Sequence, residues 1–412
     1  MQPTFLFLRL EFVLVAWCVI AIGVLAWTFR KEGWSVDTLF MAVFFVAIGS
    51  GLYWFVPKMN IRDLDGHLGL AIRGYGFFVA LGVGSAVLVS YVNARRVQVA
   101  PEHVLSIAFS VLIGGFIGAR LFFVIEYFDD FQKESLSETV VAILKYYEGG
   151  LVVYGGFIGG CVGFLIYTTW RKIPRLSLLD VLAPGMMIGL ALGRIGCLMN
   201  GCCWGGVCTT SVAMTFPPGS PPYMRHLETG ELLGATFERT NDRGNWSVTQ
   251  VTPRGRAVAQ GLKQDDRLVA LEIASTESFQ RAAINASTRK TLVRLVTHDG
   301  RELTWNYDQL PRQSRPVHPV QIYAAVNALI LCGILYVALP WRRRPGDVIA
   351  LMLSLYPISR FLLEWIRSDE IGFAETNFTI SQWVSLTLFG LAIAWWVATR
   401  LIPRIYTKSS AA

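Results

Sequence analysis

Charged side chains are scarce in this chain. Asp, Glu, Lys and Arg together make up 16% of its 412 residues, whereas hydrophobic residues make up 53%. Several apolar runs are longer than about 18 residues, which is the length that a helix needs to cross a bilayer. The composition therefore excludes an ordinary soluble globular protein and predicts an all-α polytopic membrane protein.

The sequence patterns of several catalytic classes are also missing. There is no H-E-x-x-H motif, and the predicted spans contain no serine–histidine dyad and no paired aspartates, which argues against an intramembrane protease. Four cysteines lie close together at Cys197, Cys202, Cys203 and Cys208, but no C-x-x-C pair occurs and no histidine is near them in sequence. This spacing does not predict a zinc site, and a disulfide among the four is left open.

Hydropathy predicts nine membrane spans. They cover residues 9–29, 37–56, 71–92, 104–125, 149–169, 179–199, 319–339, 346–366 and 380–401. In this interpretation residues 1–60 form an additional N-terminal transmembrane hairpin. Residues 61–204 and 318–412 form the two parts of a membrane core, and residues 205–317 form an insert outside the membrane.

The basic residues give the orientation of the chain. They collect in every second loop, for example at Arg95, Arg96 and residues 342–344, as the positive-inside rule expects of cytoplasmic loops. The net charge of +8 therefore does not indicate a nucleic-acid partner. We expect a cytoplasmic C-terminus, with the N-terminus and residues 205–317 on the outer, periplasmic side.

The insert contains strand patterns. The segment from Trp246 to Glu272 predicts a strand, a turn, a short helix and a second strand, and the segment 291–307 predicts a β-hairpin with its turn at Asp299–Gly300. The segment at about 246–308 resembles a PDZ-type module of bacterial envelope proteins in the order of Pro253, Gly255, Ala257, Gly261, Leu262 and Asp266. Such a module implies an extracytoplasmic protein or peptide partner; the alternative is a β-rich spacer without a ligand.

Arg194 lies inside an apolar run that is long enough to cross a bilayer. An arginine at membrane depth costs about 2.5–3.5 kcal/mol on insertion scales, so we expect this side chain to face a protein-lined cavity. A guanidinium group holds a phosphate or a carboxylate with two hydrogen bonds. In a membrane, the abundant phosphate is a lipid headgroup.

A second charged pattern lies near the C-terminus. Tyr356, Arg360, Glu364 and Arg367 follow one another at spacings that place them on one stripe of a helix. Arg360 and Glu364 are four residues apart and are predicted to pair, which lowers the cost of burying both. Two buried arginines that face one cavity need an anion there.

Two further segments carry candidate polar groups. Six glycines between residues 148 and 160 indicate close helix packing, and Tyr154 among them is either a functional hydroxyl or an interfacial anchor. His318 and Gln321 stand where the chain re-enters the membrane, three residues apart and therefore predicted to share a helix face. The alternative for this segment is a helix cap.

Together these motifs resemble the prolipoprotein diacylglyceryl transferase family of bacterial inner membranes over residues 71–402, apart from the insert. The family's R-x-Y-G motif is matched by Arg73, Tyr75 and Gly76. Its G-R-x-G-N-x-x-N-G-E-x-x-G motif falls on residues 193–205, here called the signature segment, with matches at Gly193, Arg194, Gly196, Asn200, Gly201 and Gly205. Two later motifs, H-P-x-Q-x-Y and Y-x-x-x-R-x-x-x-E, are matched by His318, Pro319, Gln321 and Tyr323 and by Tyr356, Arg360 and Glu364.

The resemblance implies a function and a site. Members of the family transfer the diacylglyceryl group of phosphatidylglycerol to the lipobox cysteine of preprolipoproteins, and no metal or cofactor is implied. The resemblance assigns catalysis to His318, Tyr154, Arg194 and Arg360, and phosphatidylglycerol binding to Arg194, Arg360, Tyr75, Asn200, Gly205, Glu364, Tyr356 and Gln321. His318 is favoured over Tyr154 as proton acceptor because an ordinary imidazole titrates near neutral pH. We expect a monomer in the bacterial inner membrane.

Three positions depart from the family pattern. The first asparagine of the signature is Cys197, its glutamate is Cys202, and a histidine that many members carry in the fifth span is Tyr154. These departures leave the identity of the proton acceptor open. They also keep an alternative, in which the chain is a non-catalytic or divergent membrane lipid-binding protein whose PDZ-like module recruits envelope proteins.

Overall fold

A computed structural model describes most of the chain. The described residues are 4–33, 69–97, 99–132, 135–144, 152–239, 246–276, 291–367 and 378–401, together with the isolated positions 42, 45, 46, 49–51, 53, 54, 150, 278, 279, 282 and 376. The second predicted span, 37–56, therefore lies largely outside the described residues.

Helices dominate the described residues. In chain order the helices are α1 (Leu10–Glu32), α2 (Gly74–Arg96), α3 (Glu102–Glu126), α4 (Phe128–Phe131), α5 (Leu136–Leu144), α6 (Val153–Trp170), α7 (Arg175–Asn200), α8 (Pro221–Glu228), α9 (Arg256–Ala259), α10 (Val320–Ala338), α11 (Asp347–Glu364) and α12 (Ile380–Leu401). The strands are β1 (Thr4–Arg9), β2 (Gly69–Arg73), β3 (Ala235–Arg239), β4 (Trp246–Val251), β5 (Arg267–Ile273), β6 (Thr291–Thr297) and β7 (Glu302–Asn306).

Five described helices are long and apolar enough to span a membrane. They are Gly74–Arg96, Glu102–Glu126, Arg175–Asn200, Val320–Trp341 and Ile380–Thr399. The predicted class, a polytopic helical membrane protein with a small β-rich part, is confirmed at this level. The count of nine spans stays a prediction.

The chain divides into two compact units. The first unit comprises residues 1–79 and 195–321, and the second comprises residues 80–194 and 322–412. Helices α2, α7 and α10 each contribute residues to both units.

Glycines set the distance between two helices of the second unit. Gly114 and Gly118 of α3 lie against Gly155 and Gly159 of α6, and a Cβ added at Gly118 would lie only 2.7 Å from the Gly159 Cα. Such close backbone approach is typical of membrane helices whose interface lacks side chains. The predicted packing role is confirmed for Gly155, Gly156, Gly159 and Gly160.

A buried carboxylate caps α11 within the same unit. Asp180 of α7 is fully buried, and its oxygens accept hydrogen bonds from the backbone N–H groups of Gly346, Val348 and Ile349 at 2.8–3.0 Å. Arg342 pairs with the same carboxylate at 3.2 Å. The N-cap residue of α11, Gly346, has no side chain and a positive φ of 100°, so Asp180 supplies the cap from another helix.

The insert forms an antiparallel sheet within the first unit. Its five strands are hydrogen-bonded in the order β3-β4-β5-β6-β7. The predicted strands, short helix and hairpin are confirmed as β4, α9, β5 and the β6–β7 pair. The sheet also contains β3, which precedes the predicted 246–308 segment and pairs with β4.

Local chemistry explains the insert's turns. Gly261 follows α9 with a φ of +94°, and Gly300 occupies the predicted hairpin turn with a φ of +83°. Hydrogen bonds from Thr297 and Arg301 lower the pKa of Asp299, also in that turn, to about 2. Arg301 pairs in addition with Asp266 at 2.9 Å. The turn is therefore tied by an ion pair to the loop before β5.

The N-terminal strand was not predicted from the sequence. Strand β1 pairs antiparallel with β2, so that the chain is extended up to Arg73 and becomes helical at Gly74. The third predicted span, 71–92, therefore begins in a strand and continues as α2. Residues of β1 find their partners 60 to 69 residues away in sequence, which local periodicity does not reveal.

The cap on α11 gives a test of stability. Asp180→Ala should lower the free energy of unfolding by about 3–5 kcal/mol, because it leaves Arg342 and three backbone donors without their buried acceptor. The thermal unfolding midpoint in detergent micelles measures this loss. Asp129→Asn, at an exposed carboxylate of α4, serves as the control and should leave the midpoint unchanged. Equal midpoints for the two variants would show that the cap contributes nothing.

Candidate functional site

The second unit contains a buried charged cluster around Glu364. This side chain ends α11 and is 4% exposed. Its Oε2 atom lies 2.5 Å from Nη1 of Arg360 and 3.3 Å from Nη1 of Arg367, and its Oε1 accepts a hydrogen bond from the Thr379 hydroxyl at 3.2 Å. The predicted pairing of Arg360 with Glu364 is confirmed.

Arg360 connects this cluster to Arg194. Its Nη2 donates to the Ser381 hydroxyl at 3.0 Å, and its charge interacts electrostatically with Arg194, Arg367 and Tyr356. Two guanidinium groups thus pair with one buried carboxylate, and a third, that of Arg194, is close enough to Arg360 to act on it electrostatically. Such an arrangement has the charge and the forked donors to hold a phosphate group.

Tyr154 lies in the first turn of α6 and is 55% exposed. None of the described contacts brings its hydroxyl into the arginine cluster. Its neighbours Gly155 and Gly159 contact α3, so the helix that carries Tyr154 is held by glycine packing. The choice between a functional hydroxyl and an interfacial anchor stays a prediction.

In the first unit, the end of the signature segment pairs with His318. The Gly205 N–H donates to the His318 carbonyl at 2.9 Å, and the His318 N–H donates to the Gly206 carbonyl at 3.0 Å. Val207 and Val317 continue this antiparallel pairing. Residues on either side of the long insert, Gly205 and His318, are thereby brought together.

The predicted helical relation between His318 and Gln321 is wrong. Helix α10 begins at Val320, and His318 lies in the extended segment before it because its backbone is paired with residues 205 and 206. Gln321 is fully buried, and its Nε2 donates to the Cys202 carbonyl at 2.7 Å. Gln321 therefore contacts the signature segment through its own side chain.

Two further site residues lie in the first unit. Tyr75 is 39% exposed in the first turn of α2, and a Cβ added at Gly196 would lie 3.2 Å from its carbonyl oxygen. Asn200 is the last residue of α7 and stands two residues before Cys202. Gly196 thus permits a close approach of α7 to the segment that carries Tyr75.

Three of the four cysteines that lie close together in the sequence also meet in space, beside the end of α7. The Sγ atoms of Cys197, Cys202 and Cys203 all lie within 4.8 Å of one another. The Cys202 thiol donates to the Cys197 carbonyl at 3.6 Å. Cys208 is not part of this group, since its sulfur contacts the Thr210 hydroxyl at 2.9 Å. The three cysteines do not follow a metal-site spacing, so only the turn after α7 reveals the cluster.

The comparisons with a family profile and with individual known proteins agree with each other. A sequence profile of the prolipoprotein diacylglyceryl transferase family matches residues 66–398. The phosphatidylglycerol–prolipoprotein diacylglyceryl transferase of Rhodopirellula baltica is 32% identical over 93% of this chain and 83% of its own length. Its namesake from Burkholderia lata is 27% identical over 83% of this chain and 96% of its own length. One from Dehalococcoides mccartyi is 34% identical over 40% of this chain and 63% of its own length.

Proposed function

The chain belongs to the prolipoprotein diacylglyceryl transferase family, and on that premise we propose that it transfers diacylglyceryl from phosphatidylglycerol to the lipobox cysteine of preprolipoproteins. The carbon–sulfur bond of a thioether forms, the bond between the glyceryl carbon and the phosphate oxygen breaks, and glycerol 1-phosphate leaves. The observation that carries this proposal is the cluster of guanidinium groups, in which Arg360 and Arg367 pair with Glu364 and Arg194 interacts electrostatically with Arg360.

Arg194 and Arg360 act on the phosphate. Negative charge grows on the departing phosphate as the carbon–oxygen bond breaks, so a guanidinium group stabilises the transition state more than the bound lipid. Glu364 holds the Arg360 side chain in place by the 2.5 Å ion pair. The other proposed contacts to phosphatidylglycerol are Tyr75, Asn200, Gly205, Tyr356 and Gln321.

The lipobox thiol must lose its proton to become a good nucleophile. His318 takes this proton in our proposal, and Tyr154 orients the lipid. The backbone pairing of His318 with Gly205 and Gly206 supports this assignment, because it fixes the position of the histidine at the end of the signature segment. A phenol with an ordinary pKa near 10 is a poor base at neutral pH.

The PDZ-like module positions extracytoplasmic protein and contributes no catalytic group. Its hydrophobic core is its own, built from residues between Tyr223 and Leu310. The enzyme acts as a monomer in the bacterial inner membrane, with its N-terminus and residues 205–317 in the periplasm and its C-terminus in the cytoplasm. The basic loops at Arg95, Arg96 and residues 342–344 support this orientation.

A second candidate function is lipid binding without transfer. The arginine cluster favours it equally, since the same charges hold the same phosphate in a resting complex. Cys197 and Cys202, at positions where the family carries an asparagine and a glutamate, are the reason to keep it. Formation of the thioether product on a lipobox peptide distinguishes the two functions.

Replacement of the arginines tests the phosphate role. Arg194→Lys and Arg360→Lys keep the charge but lose the planar fork, and each should lower kcat/KM at least about tenfold, since a charge-assisted hydrogen bond contributes about 1.5–3 kcal/mol. Release of glycerol 1-phosphate from phosphatidylglycerol is the measurement. Arg312→Lys, at an exposed arginine of the insert, is the matched control. Wild-type turnover in Arg194→Ala and Arg360→Ala would remove the phosphate role.

The proton acceptor is tested by a pH–rate profile. His318→Ala should lower kcat about a hundredfold and abolish the acidic limb of the profile, because that limb reports protonation of the base. Tyr154→Phe should cost about threefold to tenfold, the equivalent of one hydrogen bond, and keep the limb. An acidic limb that survives in His318→Ala assigns the base to another group.

The structure also defines where the insert is to be removed. Phe216 and Ser314 are hydrogen-bonded to each other at 2.8 and 2.9 Å, so a short Gly/Ser loop can join them in place of residues 217–313. A cut at residue 246 would instead leave β3 without its partner strand. The shortened protein should modify a simple lipobox peptide at the wild-type rate. If it inserts, binds phosphatidylglycerol and still fails to modify the peptide, the insert belongs to the active site.

A further inference from the structure

The thiols of Cys197, Cys202 and Cys203 have no role in the proposed transfer. Their Sγ atoms lie within 4.8 Å of one another, and each residue is partly exposed. Across the described ranges, this is the group of His, Cys, Asp and Glu side chains whose ligand atoms are close enough to share one ion. It is built entirely from sulfur.

The end of α7 brings the three sulfurs together. Gly201 ends the helix with a φ of +72°, and the Cys202 N–H returns to the Cys197 carbonyl at 3.1 Å. Cys203 then adopts a φ of +61°, which is unfavourable for a residue with a side chain. The turn therefore folds back on the last turn of the helix and holds the third sulfur beside the other two.

The spacing of the sulfurs fits one bound ion. A zinc–sulfur bond is about 2.3 Å long, so three sulfurs around one ion are about 3.8–4.0 Å apart. Sulfurs that already lie within 4.8 Å reach this spacing by small rotations of their side chains. A disulfide, by contrast, uses two sulfurs and leaves the third without a covalent partner.

The ligand chemistry selects the class of ion. Thiolates prefer soft ions such as Cu(I) and Zn(II), whereas Mg²⁺ and Ca²⁺ prefer oxygen ligands. The Gln321 amide lies beside the cluster, with its Nε2 on the Cys202 carbonyl at 2.7 Å. Its Oε1 is buried and has no hydrogen-bond partner among the described residues. A water molecule on the bound ion would satisfy that oxygen.

We propose that Cys197, Cys202 and Cys203 form a three-thiolate site for one thiophilic d10 cation, either Cu(I) or Zn(II). On binding, three sulfur–hydrogen bonds break, three metal–sulfur bonds form and three protons pass to solvent. No electron is transferred and no oxidant is needed. The ion cross-links the last turn of α7 to the turn that carries Cys202 and Cys203, and through the Cys202 carbonyl it stiffens the contact with Gln321.

The experiment titrates the full chain, purified in detergent with a phosphine reductant, with Zn(II) and in a separate arm with Cu(I). We expect one ion per chain by elemental analysis after gel filtration. Cd(II), as an optical probe, should give thiolate-to-metal charge-transfer absorption that saturates at the same ratio. Competition with a chelator of known affinity gives the affinity of the protein for each ion, and the ion with the higher affinity is assigned to the site.

Two sets of variants locate the site. The triple variant Cys197→Ser, Cys202→Ser and Cys203→Ser should lose the ion and the absorption. The matched triple variant Cys18→Ser, Cys161→Ser and Cys332→Ser removes the same number of thiols from elsewhere in the chain and should keep both. Binding that survives in the first variant, or disappears in the second, overturns the proposal.

A measurement on the wild-type chain tests the proposal without relying on the folding of a variant. Zn(II) or Cu(I) should protect Cys197, Cys202 and Cys203 from alkylation, read by mass spectrometry of their peptides, while the extent of alkylation of Cys18, Cys161 and Cys332 stays unchanged. Equal alkylation with and without metal contradicts the proposal. The proposal is also contradicted if a disulfide is found within the cluster and the protein binds no ion after that disulfide has been reduced.

Discussion

The carboxylate of Glu364 is the group on which the charged interior of the second unit depends. It is almost fully buried, pairs with Arg360 and Arg367, and accepts a hydrogen bond from Thr379. A buried guanidinium group without a counterion is costly, and more so at membrane depth. One carboxylate thus permits the two arginines of this segment to stay inside.

The same constraint explains the polar contacts between helices of this unit. Backbone and side-chain polar groups in an apolar layer must find partners within the protein. Asp180 meets this requirement for the start of α11, where Gly346 offers no side chain. On α3, the guanidinium group of Arg120 finds its own partners, because it donates to the carbonyl oxygens of Ala142, Ile143 and Gly150. Asp180 and Arg120, among the described residues, thus each have specific hydrogen-bond partners within the unit.

The first unit shows how a membrane enzyme family accommodates a folded insert. The insert has its own core and five-stranded sheet, and the segments 205–208 and 214–216 pair with residues 314–318. Because the chain leaves and returns at adjacent positions, the signature segment and His318 are held together whatever the insert contains.

The sequence by itself determined the features that have a short period or a local signal. Apolar runs predicted the long helices, the four-residue spacing predicted the Arg360–Glu364 pair, and the Asp299–Gly300 turn predicted a hairpin, because each of these depends on residues that are neighbours in the chain. Roles for the site residues came from the family resemblance, and they remain proposals.

Periodicity misled at His318, where pairing with Gly205 and Gly206 keeps the backbone extended until α10 begins at Val320. The Asp180 cap, the β1–β2 pair and the Gln321–Cys202 contact join residues that are far apart in sequence, and the three-thiol cluster depends on one tight turn. Only the tertiary structure decided these, because a contact between distant segments leaves no pattern in either segment alone.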